Sequence, residues 1–292
     1  MNDKLKNFIV RTLSGAVMLA IVLGAILASE WSFMALMTII ALGGIWEFYN
    51  FAQKAGYQPM KLLGLFGGVL TMLIGISLFF MFATKDSTND SLFAIIFGMA
   101  IVTLLLLVPL MFICELYCKS STPIANIGST IMGMLYVAMP LSLLILIPAL
   151  LETSSGGWNP WIVLFYIFII WANDVFAYLF GITLGRHRLF ERISPKKSWE
   201  GFFGGLIGAM AMGYVASLVL DTEPVVWIGM ALVAAIAGVF GDLVESLFKR
   251  SVDVKDSGNF IPGHGGWLDR FDALIFSAPF AFVYVLFVTL IL

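Results

Sequence analysis

Nine runs of roughly 20 mainly apolar residues, at 8–28, 31–51, 62–83, 92–113, 124–150, 161–181, 202–220, 225–246 and 273–292, leave this chain little choice of solvent. A bilayer core about 30 Å thick is crossed by ~20 helical residues, and each run has that length. With 61% hydrophobic and only 12% charged residues, the chain has too little polar surface to keep 292 residues in water. The runs lack the strict apolar/polar alternation of barrel strands, and a helix satisfies its own backbone hydrogen bonds in hydrocarbon. The expected fold is therefore an all-α, polytopic integral membrane bundle of about nine transmembrane helices. No linker or low-complexity stretch interrupts it, so residues 1–292 are expected to form a single membrane domain. Within it, spans over 8–150 should pack and face lipid, and spans over 161–292 should carry the functional site.

The basic residues orient the bundle. Placing the N terminus inside puts 15 of the 16 Lys and Arg on the cytoplasmic side and leaves Lys85 alone outside, where Glu30, Asp86, Asp90, Glu152, Asp221 and Glu223 fall. The first run is longer than a typical signal-peptide core and lacks an Ala-x-Ala exit, so it reads as a retained helix. Cys114 and Cys118 lie one turn apart at a cytoplasmic helix end, where reducing conditions argue for two inert thiols over a disulfide. A short outer-loop set and no targeting extension point to a bacterial inner membrane.

Two cytoplasmic loops, 182–201 and 247–272, hold 9 of the 16 basic residues, and intramembrane carboxylates flank them. On span six, Asp174, Tyr178, Gly181 and Gly185 fall in a stripe roughly 60° wide, with Asn173 beside it. A carboxylate at that depth costs about 2.5–3.5 kcal/mol and should face the bundle interior or a wet cavity; the plainer alternative is an Asn-Asp pair bonding neighbouring helices. On span eight, Asp242, Ser246 and Lys249 share a face and Glu245 lies next to it, a set able to hold a hard divalent cation and phosphate oxygens. Snorkelling alone would explain Lys249 and Arg250, but not Asp242. The following loop runs Lys255, Asp256, Ser257 to His264, Gly265, Gly266, and ends in Asp269, Arg270 and Asp272. Its glycines suit a backbone that offers N–H groups to phosphate oxygens. The other loop brings Ser194, Lys196 and Lys197, whose charge could meet a triphosphate, a lipid phosphate or an anionic leaflet. Arg186, Arg188 and Arg192 read as leaflet contacts. Span seven is rich in glycine and reads as close helix packing. Glu47 and Glu115 stay without a partner pattern.

These residues resemble a known family. Ser246-x-apolar-Lys249-Arg250, then Lys255-Asp256, Pro262-Gly263-His264-Gly265-Gly266 and Asp269-Arg270-apolar-Asp272 look like the signature of the phosphatidate cytidylyltransferases, or CDP-diacylglycerol synthases. Asn173-Asp174-x-x-Ala177-Tyr178 and Ser194-Pro195-Lys196-Lys197 through Glu200-Gly201 resemble the same family upstream. Trp267 and Ser198 depart from it, where a smaller apolar residue and Thr are usual. The resemblance implies that CTP and phosphatidate give CDP-diacylglycerol and pyrophosphate, with Mg²⁺ required, alone or with a second cation, and a homodimer. It matches Asp242 and Asp269 to the metal-binding carboxylates, with Ser246 and Lys249 beside them.

On this reading the lipid phosphate attacks the α-phosphorus of CTP in line, with Asp242 and Asp269 on the metal, Lys249, Lys196 and Lys197 on phosphates and Asp174 in support. The loop residues 262–266 contact nucleotide, with His264 a candidate proton donor to pyrophosphate, and Ser194, Arg250, Lys255, Asp256, Arg270, Asp272, Asn173 and Tyr178 complete the substrate contacts. The partners are CTP, phosphatidate and the bilayer, with no nucleic acid. Two rivals stay open: a CTP-dependent lipid kinase with a similar site, and an ion-coupled transporter using Asp174 and Asp242 as cation sites. The crowding of polar residues at one membrane face weighs against the transporter. Neither a Walker A run nor the CDP-alcohol phosphatidyltransferase pattern occurs.

Overall fold

The computed structural model describes residues 3–83, 87–151, 158–254, 256–258 and 265–291. Lys255 and His264, both expected at the site, lie outside the described residues. Among the described residues nine helices are long and apolar enough to cross a membrane. They are α1 (Asp3–Ala28), α2 (Glu30–Lys54), α3 (Lys61–Ala83), α4 (Ser87–Cys118), the continuous span of α5 (Pro123–Gly133) and α6 (Met139–Leu151), α7 (Pro160–Leu184), α8 (Trp199–Val219), α9 (Pro224–Ser251) and α10 (Leu268–Ile291). A π-helical turn at Met134–Ala138 joins α5 to α6. Prolines stand inside α4, α6 and α10 at Pro109, Pro148 and Pro279, which a membrane helix tolerates because neighbouring groups satisfy the freed carbonyls.

Burial separates two kinds of helix. Only 11% of the apolar window of α1 or α4 is buried, so Leu105, Leu106 and Ile95 on α4 present bare hydrocarbon outward, as a lipid-facing helix does. The α5–α6 span is 67% buried and forms the middle of the bundle. Helix α7 packs on α8, α8 on α9 and α9 on α10, while α10 also leans on α6 and α6 on α3. Few polar bonds cross the interior. Tyr166 on α7 meets the Ser277 hydroxyl on α10 at 2.7 Å, and Tyr49 on α2 donates to the Thr130 carbonyl on α5 at 2.7 Å. Cys114 and Cys118 are free thiols.

The loop between α7 and α8 contains a feature the apolar pattern does not foretell, a short antiparallel hairpin of β1 (Arg188–Phe190) and β2 (Ser194–Ser198). Arg188 pairs with Ser198 and Phe190 with Ser194, with an irregularity between them. Glu200, in the first turn of α8, holds the entry to the hairpin: its carboxylate accepts from the Arg186 and His187 amides at 3.1 and 3.2 Å and meets His187 Nδ1 at 2.6 Å. Ser198 caps α8, its hydroxyl accepting from the Gly201 amide at 3.1 Å. The hairpin is thus tied to a helix end, and so is the Lys196-Lys197 pair that it carries.

Candidate active site

The site forms where α7, the hairpin, α9 and α10 meet. Glycine makes the approach possible. A Cβ at Gly241 of α9 would stand 2.6 Å from Phe276 Cβ and 2.8 Å from the Asp272 carbonyl of α10, so only a bare backbone lets these helices come this close. Gly205 of α8 does the same for α7, where a Cβ would lie 2.9 Å from the Asn173 carbonyl. Asn173 is consequently buried in the α7–α8 contact, and Asp174, next in the chain, opens toward the cavities.

Three carboxylates converge across the α9–α10 seam. Asp242, Glu245 and Asp272 each offer an oxygen within 4.8 Å of the others. Lys197 reaches in from the hairpin, its ammonium 2.5 Å from Asp242 Oδ2 and 3.4 Å from the Val239 carbonyl. Lys249 pairs with Glu245 one turn before it and with Asp269 Oδ1 at 2.8 Å. Four carboxylates share two ammonium groups, which leaves two formal negative charges to be met from elsewhere. Moreover, Glu245 is 1% exposed, and its Oε1 has no hydrogen-bond partner among the described residues. A buried, unpartnered carboxylate oxygen is costly, and all-oxygen donors at this spacing suit a hard divalent cation such as Mg²⁺. The residues present therefore fit the metal that the sequence implies.

Asp269 sits differently from its expected place beside Asp242. Its Oδ2 accepts from the Ser257 amide (2.8 Å), the Ser257 hydroxyl (2.9 Å) and the Gly266 amide (2.9 Å), while Oδ1 takes Lys249. Asp272, expected only as a substrate contact, is the α10 carboxylate that faces Asp242. Ser246 lies one turn beyond Asp242, with its hydroxyl donating to Oδ1 over a long 3.4 Å. Gly265 takes φ +83°, a left-handed conformation natural to glycine, just before the turn into α10.

Two cavities meet at these acids. One, about 480 Å³, is lined by Lys196, Lys197, Arg188, Asn173, Tyr178 and Ser198 together with Asp174 and Asp242. The other, about 270 Å³, is lined by Met18, Leu19 and Val22 of α1, Ile167, Ile170 and Trp171 of α7, and Asp174, Asp269, Arg270 and Asp272. Asp174 belongs to both. Arg188 thus lines a cavity, where the sequence suggested only a leaflet contact. Ser194 begins β2, and Arg250 and Asp256 are exposed at the end of α9 and beyond it; none of the three lines either cavity.

The sequence placed Glu245 beside the α9 stripe but gave no sign that it is the most buried of the convergent acids. Glu47 of α2 carried no signal. Its carboxylate accepts from the Trp267 amide (2.9 Å), the Leu268 amide (3.0 Å) and the Ser257 hydroxyl (2.8 Å) at the base of the glycine loop.

A family described as the cytidylyltransferase family matches residues 9–288. Curated relatives bearing the name phosphatidate cytidylyltransferase include those of Staphylococcus epidermidis, 44% identical over 130 residues, and Staphylococcus aureus, 45% identical over 130 residues. Each of these alignments covers 44% of this chain and 49% of the relative. The relative from Staphylococcus saprophyticus is 43% identical over 132 residues, 44% of this chain and 50% of the relative. The chain spans about half the length of the curated relatives it matches.

Proposed function

The chain belongs to the cytidylyltransferase family, and from that premise we propose that it transfers a cytidylyl group from CTP to phosphatidate, giving CDP-diacylglycerol and pyrophosphate at the cytoplasmic face of the membrane. The observation that carries the reading is the convergence of Asp242, Glu245 and Asp272 within 4.8 Å at the junction of a lysine-walled and an apolar-walled cavity. A nucleotide triphosphate suits the first cavity. A lipid whose phosphate must reach the same carboxylates suits the second. The name carried by the staphylococcal relatives points to the same pair of substrates.

In this reaction a phosphatidate oxygen forms a bond to the α-phosphorus of CTP as the bond to the bridging oxygen of the β-phosphate breaks, and pyrophosphate leaves with that electron pair. The attacking oxygen is already anionic near neutral pH, so no Ser, Cys or His nucleophile has to be activated. The difficulty is bringing two anions together and stabilising charge that shifts toward the leaving group. Lys196 and Lys197 neutralise the triphosphate from the hairpin. Lys249, held beside the seam by Glu245 and Asp269, would offer its ammonium to a phosphate oxygen, and Asp242, Glu245 and Asp272, with Asp269 next to them, would hold Mg²⁺. The cation would supply charge neutralisation. Asp174, on the wall common to both cavities, orients the two substrates from α7.

Purified protein given phosphatidate vesicles and CTP labelled at the α-phosphorus should place the label in lipid, and only with Mg²⁺ present. Label in lipid from the γ-phosphorus alone would identify a lipid kinase and overturn the reading. Turnover in detergent, where no gradient exists, sets a transporter aside as the primary activity.

A further inference from the structure

Glu47 is 4% exposed on α2, and among the described residues no cation pairs with it. Its charge is held by donors from a segment more than 200 positions away in the chain: the Ser257 hydroxyl at a separation of 210, the Trp267 amide at 220 and the Leu268 amide at 221. Those donors stand on both flanks of the glycine loop, one before residues 259–264 and two after them. The backbone is drawn tightly around the carboxylate. A Cβ at Gly258 would lie 3.0 Å from Glu47 Cδ, and a Cβ at Gly266 would collide with both carboxylate oxygens. One turn earlier on the same helix, Gly43 leaves room for the Trp267 indole, to which a Cβ would come within 2.6 Å. So α2 offers the loop a carboxylate for its amides and a gap for its largest side chain.

The contact leads on into the site. Ser257 joins Glu47 to Asp269, its hydroxyl lying 2.8 Å from Glu47 Oε2 and 2.9 Å from Asp269 Oδ2, while its amide donates to the same Asp269 oxygen at 2.8 Å. Asp269 in turn holds Lys249. A hydroxyl has one proton, so Ser257 cannot donate to both carboxylates at once, and the position of Asp269 is therefore sensitive to what Glu47 accepts.

We infer that Glu47 is a positioning residue for the cytidylyl donor: it clamps both flanks of the glycine loop and, through Ser257, sets Asp269 and with it the Lys249 ammonium that would meet the triphosphate. This rests on the nucleotidyl-transfer reading above. Glu47 touches no substrate itself. Its loss should weaken nucleotide binding and leave the lipid side of the site unchanged.

The test is steady-state kinetics on the full chain in mixed micelles, with CTP and phosphatidate varied separately. Glu47→Gln keeps the size but turns one acceptor oxygen into a donor facing other donors. It should raise KM for CTP about tenfold while KM for phosphatidate and the melting temperature stay near those of the unaltered protein. Glu47→Asp, which keeps the charge on a shorter arm, should recover part of that loss. Ser257→Ala should raise the same constant, and adding Glu47→Gln to it should give less than the product of the two effects. A normal KM for CTP in Glu47→Gln overturns the inference, as does a lowered melting temperature and smaller active fraction with KM unchanged, the mark of a purely structural acid. Where Glu47→Gln does not insert, Ser257→Ala decides by the same criterion. Amide exchange over residues 256–268 gives an arm free of activity: exchange should quicken in Glu47→Gln, and an unchanged pattern sinks the clamp. Should the unaltered protein make no CDP-diacylglycerol, the reaction reading fails, and the exchange arm still judges Glu47.

Discussion

A buried acid, Glu47, and a partly buried cluster of three acids lie close together at one end of this bundle and solve opposite problems. Around Glu47 the protein supplies a donor for each oxygen, from two amides and a hydroxyl, so the carboxylate is spent on holding its own chain. Across the α9–α10 seam, Asp242, Glu245 and Asp272 are pressed together with an oxygen of Glu245 unpartnered. A satisfied buried acid organises structure, whereas an unsatisfied, convergent set is kept at a cost that a cation and phosphates can offset. The difference lies above all in completeness of partners. On the proposed reading it separates a residue that positions from residues that bind.

The most severe way to break that contrast is Asp242→Asn. If the seam acids bind the metal, kcat should fall by about 10³-fold with the melting temperature held or raised, because a repelling charge has gone. Near-normal turnover would put Asp242 in the same class as Glu47. Lys197→Ala comes next, with an expected loss of about 10²-fold in kcat/KM. The hairpin lysine both pairs with Asp242 and faces the larger cavity, whereas Lys196→Ala should cost less. Glu245→Gln sharpens the comparison without an assay of turnover. Mg²⁺ at a hundredfold excess over Kd should stabilise the unaltered protein by about 2.7 kcal/mol, and this gain should shrink clearly in the variant. An equal Mg²⁺ response in both would remove Glu245 from the metal set. Smallest is Gly241→Ala, which by overpacking the α9–α10 contact should cost about 1–3 kcal/mol, and thermal melts of the purified variant would read it.

Much of this was legible from the chain. The spans match the helices, which extend up to five residues past the apolar runs; α10 begins at Leu268, five residues before its run, and so takes Asp269 into its first turn and Asp272 just beyond it. The i, i+4, i+7 spacing of Asp242, Ser246 and Lys249 placed all three at the site, because helical periodicity is a local property. The hairpin was missed since its anchors are Glu200 and Ser198, polar groups acting on backbone amides that no apolar pattern registers. Which of Asp269 and Asp272 faces Asp242 has another origin. Three residues apart, they stand about 60° from each other around the helix, and spacing alone cannot say which one turns to α9. The close approach at Gly241 sets the rotation of α10, and with it the answer.

What the sequence determined by itself is the solvent and the local faces: a chain this apolar must enter a bilayer as helices, and carboxylates at helical spacing must share a side. Tertiary structure decided which carboxylates meet and which are satisfied. Glu47 and Ser257 stand 210 positions apart, and no periodicity reaches across that distance. Their contact arises because α2, α9 and α10 pack into one bundle, and a buried charge takes whatever donors that packing brings to it.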